Sequence, residues 1–175
     1  VLNTEEGSSS ICDQDGNLLF YTDGVTVWNR HHTTMPHGHN LWGSHTTTQT
    51  LIVPKPGDEP IYYIFTASPQ YDYVFGEGTD SVGLHYSIVD LRLASGSGDI
   101  VVKNVPLFEN ATEKIAGISH SNGEDIWVVS HEWNSNIFRS YLITEVGPLT
   151  TPILSAVGQP HNDVGEPPQV VHLHS

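Results

Sequence analysis

Five histidines, His31, His32, His37, His39 and His45, fall within fifteen residues of one another, in a stretch that also holds Met35, Pro36, Gly38 and Gly43. Neutral imidazoles favour zinc, copper or nickel, and an extended backbone would turn His37 and His39 to the same side. If this loop holds a divalent metal, His37, His39 and His45 are the ligands to expect. A built site needs further converging ligands and partners that orient the rings. Surface histidines of an irregular loop are the simpler reading. His172 and His174 repeat the alternation in the tail.

Other chemistry-bearing groups are weaker signals. Asp13-Gln14-Asp15-Gly16-Asn17 clusters oxygen ligands as calcium requires, but Gly24 stands where a twelve-residue calcium loop ends in an acid. A hairpin turn at Asp15-Gly16 explains it better, since both residues tolerate positive φ. Ser8, Ser9 and Ser10 lack a nucleophile elbow, and His131-Glu132-Trp133-Asn134-Ser135 lacks the second histidine of a zinc protease. Glu5, Glu6, Asp72, Asp80, Glu113 and Asp125 offer many carboxylate pairs and select none. No catalytic residue is assigned. The expectation leans away from an enzyme, with a carbohydrate-active enzyme as the alternative.

The aromatic residues divide by context. Trp28, Trp127, Tyr62 and Tyr86 alternate within apolar runs and read as packing residues. Trp42, Tyr71, Tyr73, Phe75 and Trp133 lie in loops or insertions, where a ring can stack on a sugar or anchor a protein. With His120 and His131 at strand ends, the ligand-binding candidates are Trp42, Tyr71, Tyr73, His120, His131 and Trp133.

The chain has 175 residues, 6 Lys and Arg against 20 Asp and Glu, and a formal charge of -14. Such a surface repels a phosphate backbone, so nucleic acid is not an expected partner. No apolar run approaches the roughly 20 residues that span a bilayer as a helix. Cys12 is the single cysteine, which excludes an internal disulfide, and its apolar strand context suggests a buried thiol. The opening at Val1, with no Met or signal stretch, is what a processed chain or an excised fragment would have.

Strands must position these groups. Runs rich in Val, Ile, Tyr, Phe, Trp and Thr alternate with Gly, Pro, Asn and Asp clusters, and the best helical stretch, Asn110 to Gly117, amounts to one turn at most. Three units share one order of strand, turn and strands, at about 8–29, 48–91 and 114–144. Their turns fall at Asp15-Gly16, Pro56 to Pro60 and Asn122-Gly123, and their middle strands begin at Leu18, Ile61 and Asp125, spaced 43 and 64 residues apart. An antiparallel unit recurring every ~40 to 50 residues is the signature of propeller blades. The expectation is an all-β chain of three or four β-propeller blades over 1–147, followed by a Pro-rich edge strand and tail over 148–175; a β-sandwich is the alternative.

The stretch EGSSSICDQDGNLLFYTDGVTVWN, followed by MPHG, TQTLIVPKPG with IYYIFT, GLHYSIVDL and TEKIAGISHSNGEDIWVVSHE, resembles the N-terminal propeller region of large secreted surface proteins of the Bacteroidetes type. Those proteins often carry adhesion-like domains and a type IX secretion signal. The resemblance runs from about Glu5 to Thr144. It implies a secreted or cell-surface binding module that is part of a larger protein, with a glycan or protein as partner. It also implies a fragment or a short, divergent version, since an earlier strand and further blades are usual in the family; open blade edges would then allow self-association. It carries no catalytic residues over.

Overall fold

The computed structural model describes residues 2, 4, 7–44, 50–68 and 83–160. Three antiparallel sheets follow one another along the chain. The first contains β1 (Ser9–Cys12), β2 (Leu18–Thr22) and β3 (Val27–Asn29) in chain order. The second contains β4 (Thr50–Pro54), β5 (Ile61–Ala67), β6 (Leu84–Asp90) and β7 (Asp99–Phe108), again in chain order. In the third, β8 (Ala111–Ser119), β9 (Ile126–Glu132) and β10 (Ile137–Thr144) are adjacent, and both β11 (Gly147–Pro148) and β12 (Ile153–Ala156) pair with β10. The only helical element among the described residues is a short 3-10 turn at Ala94–Gly96. The chain is all-β.

Turn chemistry sets the hairpins. The Asp13 carboxylate accepts the backbone N–H groups of Asp15 at 3.0 Å and Asn17 at 2.8 Å and the Asn17 side-chain amide at 3.0 Å, while Gly16 takes φ 84°. Both carboxylate oxygens are therefore occupied in closing the β1–β2 turn. In the β8–β9 turn the Asn122 side-chain Oδ1 accepts the N–H groups of Glu124 and Asp125, and Gly123 takes φ 78°. The Asp-Gly and Asn-Gly pairs act as hairpin residues, as their tolerance of positive φ requires.

The second sheet is buried on both faces. Cross-strand pairing places Ile52 beside Ile64 on one face, and Val53 beside Tyr63 and Leu51 beside Phe65 on the other. Ile52, Ile64, Val89 and Ile100 pack with Phe20, Val27, Met35 and Leu41 of the first unit. Tyr63, Phe65, Ala67 and Leu84 pack with Ile115, Val128, Tyr141 and Ile143 of the third. The run IYYIFTA is nearly all apolar because a strand covered on both sides has no polar face to present. At the inner edge β1 lies beside β4, and β4 beside β8.

Three sequence expectations change. The stretch read as one helical turn is the start of β8, whose Ala111, Ile115 and Ala116 gain partners in β9; cross-strand pairing outweighs a weak helical tendency. Strand β7 was missed, because its Lys103, Asn104 and Pro106 interrupt the alternation; it bends past them with register shifts against β6. Cys12 is exposed, not buried: the β1–β2 register shifts between Ile11 and Cys12, which carries the thiol off the core side.

The two-faced core predicts where truncation costs most. Phe65 is fully buried between the second and third sheets. Phe65→Ala should lower the unfolding free energy in urea by about 3–5 kcal/mol.

Candidate functional site

The His-rich loop leaves the first sheet and is folded back upon it. Val27 N–H donates to Gly38 O at 2.8 Å, Met35 N–H to Val27 O at 2.9 Å and Leu41 N–H to Val25 O at 3.0 Å. These bonds drive Met35 and Leu41 into the core, where they are almost fully buried. Gly43 is required at the loop's end, because a side-chain carbon there would stand 2.6 Å from Gly24 O.

The outer side of the loop is tied to β7. His37 Nδ1 meets Asp99 Oδ1 at 2.9 Å, Lys103 Nζ donates to His39 O at 2.6 Å, and Asn104 Nδ2 donates to Asn40 O at 2.9 Å. Asn104 Oδ1 then accepts the Trp42 N–H at 3.0 Å, and Asn104 N–H donates to Ser87 Oγ at 3.0 Å. Asn104 has φ 56°, a conformation Asn tolerates better than most residues. One side chain thus sets the position of Trp42 on the second sheet.

Trp42 meets His85 of β6 edge to face, with ring centroids 5.0 Å apart. The two rings, Asn104, Pro106, Phe108, Glu109 and Arg139 line a concavity of about 700 Å³ at the seam between the second and third sheets. Arg139 stands 4.7 Å over the Phe108 ring, and its Nε and Nη2 donate to Glu132 Oε2 at 3.2 and 2.8 Å. The guanidinium is therefore fixed before any ligand arrives.

His85 is 2% exposed, and its Nδ1 has no hydrogen-bond partner among the described residues. Burial pushes its imidazole down to about 4, against the opposing effect of a backbone hydrogen bond at Gly83, so the ring is neutral near pH 7. Register places His85 opposite Thr66 and Thr66 opposite Thr50, and both threonine hydroxyls are also buried without a partner among the described residues. A buried row of unsatisfied polar atoms is costly unless something else supplies the bonds.

Of the residues the sequence singled out, Trp42 alone lines this concavity. Tyr71, Tyr73 and His45 lie outside the described residues. His120 follows β8 in the β8–β9 turn, where its Nδ1 accepts the Asn122 N–H, while His131 lies near the far end of β9 with its ring 4.6 Å from Phe138. They do not converge. Trp133 donates its backbone N–H to Asn110 O at 2.7 Å in the β9–β10 connection. His37 and His39 are not on one extended stretch, because His37 takes φ 53° and the chain turns back from Met35 to Gly38. Among the described residues no three His, Cys, Asp or Glu side chains stand where they could share a metal ion. Sequence reasoning missed His85, Asn104 and Arg139. A histidine inside the apolar run LHYSIVDL was the one available signal.

Comparison with protein families, curated proteins and solved structures finds no match to this chain.

The neutral, buried His85 makes stability depend on pH. The unfolded ring takes up its proton near pH 6.5 and the folded one only near 4, so the unfolded state binds more protons in between and stability falls as pH falls through that window. His85→Gln, which cannot ionise, lacks this loss. Urea unfolding at pH 7.5 and pH 5 should show the natural chain losing about 2 kcal/mol more than the variant, from the ~1.4 kcal/mol carried by each pH unit below 6.5.

Proposed function

We propose that the chain is a non-enzymatic binding module formed by three successive blades of a β-propeller and exported to the cell surface or beyond it. Three consecutive antiparallel sheets in meander order, with neighbouring first strands, support the blade reading over a sandwich, which would face two sheets across a single core. Export rests on the family resemblance from Glu5 to Thr144.

The observation that carries the binding reading is the concavity at the seam. It joins aromatic surface, Trp42 and Phe108, to polar groups already held in place, Asn104 by the loop and Arg139 by Glu132. Preorganised polar groups beside half-buried rings suit recognition, because little freedom is lost when a ligand docks. A glycan fits this chemistry: a sugar's apolar face can stack on Trp42, and its hydroxyls are hydrogen-bond partners for the lining. A protein loop bearing an aromatic or acidic tip is the second kind of ligand the same lining would take.

An oligosaccharide array tests the reading. The folded chain should retain at least one glycan, and Trp42→Ala should weaken that binding at least tenfold while circular dichroism shows the strands intact. Failure of the intact chain to retain any glycan or surface protein would sink the binding reading. Release of shortened sugars, seen by mass spectrometry, would replace it with the carbohydrate-active one.

A further inference from the structure

Few charges stand on the Trp42 concavity, and their arrangement limits what a sugar bound there can carry. Among the lining residues Arg139 and Glu109 are charged at neutral pH, since burial holds His85 neutral. The positive one is already matched. Arg139 Nε and Nη2 both donate to Glu132 Oε2, at 3.2 and 2.8 Å, and the guanidinium lies 4.7 Å over the Phe108 ring. Both side chains of this pair are 26% exposed, so salt and water screen their attraction less than at an open surface. The pair offers hydrogen-bond donors with little net charge.

Glu109 is the opposite case. It is exposed, and among the described residues its carboxylate makes no ion pair and no hydrogen bond. Backbone packing on two sides builds its place. Glu109 and Asn110 form the whole connection between β7 and β8, and Trp133 N–H donates to Asn110 O at 2.7 Å, which ties that connection to the one between β9 and β10. On the other side Gly83, just before β6, packs against it: a side-chain carbon there would stand 2.1 Å from Phe108 O and 2.9 Å from Glu109 Cα. Gly83 also takes φ 107°, so glycine is required. A connection held from both sides keeps Glu109 on the wall of the concavity.

The surrounding charge has the same sign as Glu109. Lys103, beside Asn104 on β7, is committed to His39 O, and the chain as a whole carries -14. A carboxylate or sulfate entering the concavity would meet an unpaired negative group and a guanidinium whose charge is offset. A neutral sugar escapes that repulsion. Its hydroxyls can accept from the guanidinium and donate to the Glu109 carboxylate, because a hydroxyl does both.

We infer that the Trp42 concavity takes uncharged sugars, and that Glu109 is the residue that keeps their carboxylated and sulfated counterparts out. The inference rests on the glycan reading and adds its selectivity. It also narrows the protein-loop alternative to an aromatic tip rather than an acidic one.

Matched pairs of oligosaccharides, identical except for one uronate or sulfate group, test the inference by titration calorimetry on the full chain. In dilute buffer the natural chain should bind the neutral member roughly fivefold or more tightly than the charged one, and added salt should shrink the difference by screening. Glu109→Gln keeps the size of an exposed side chain and removes its charge. With the fold checked by circular dichroism, this variant should hold the neutral sugar as the natural chain does and lose most of the preference, while Glu109→Lys should reverse it. Equal or tighter binding of the charged member by the natural chain overturns the inference alone, as does a preference undiminished in Glu109→Gln. Binding of neither member sinks the glycan reading and the selectivity with it.

Discussion

Burial of the second sheet on both faces is the constraint on which the rest of the molecule depends. A sheet that is apolar on one side only needs one neighbour; this one needs two, and the residues of β5 alternate between them. Ile64 goes to the first unit, and Tyr63 and Phe65 to the third. A shift of one residue in the β4–β5 register would exchange the two faces together, turning Ile52 toward the wrong core and Val53 with it. The two flanking sheets are thereby fixed relative to a common middle layer. The seam between the second and third sheets, where the Trp42 concavity opens, inherits its shape from that packing.

The His-rich loop belongs to the same logic. Its backbone closes on the first sheet, its apolar residues Met35 and Leu41 fill the core beneath, and its outer side is tied to β7 by His37, Lys103 and Asn104. The loop acts as a strap between the first two sheets. The features that made the stretch resemble a metal site, imidazoles at short spacing, come from a chain that reverses direction repeatedly. Positive φ at His32, His37 and Asn40 separates side chains that an extended strand would have aligned.

Legibility in the sequence followed the range of the forces involved. Hairpins set by Asp15-Gly16 and Asn122-Gly123 could be read directly, because a turn's geometry is decided by its own few residues. So could the all-β class, since short apolar and β-branched runs broken by Gly, Pro, Asn and Asp recur along the chain. Strand β7 escaped because its identity lies in what it pairs with: Lys103 and Asn104 are polar for the sake of the loop they hold, and that loop is some sixty residues earlier in the chain. His85 and Arg139 escaped for a related reason. Neither belongs to a local motif, and each becomes part of the site only when β6 and β10 are brought to the same seam. Trp42 was recognisable because an aromatic residue between Gly- and His-rich segments stands out by composition alone.

The scarcity of cations gives the charge balance a structural meaning. Only 6 Lys and Arg are present, and five of them close particular junctions. Arg30 reaches Gly96 O in the β6–β7 connection, Lys55 pairs with Glu59 across the β4–β5 turn, and Arg92 joins Asp90 and Glu59. Lys103 holds the strap, and Arg139 ties β9 to β10 through Glu132. Their partners respond: hydrogen bonding to Lys55 lowers the Glu59 carboxyl below its ordinary value, and hydrogen bonding to Arg92 does the same for Asp90. The excess of carboxylates over cations keeps the chain strongly negative and discourages nonspecific contact through mutual repulsion. Against that background the Arg139 side of the concavity is a place, among the described residues, where a fixed positive group stands out. A fixed guanidinium inside a concavity adds orientation that an apolar wall cannot. The few positive groups are thus spent on junctions between strands, turns and the strap.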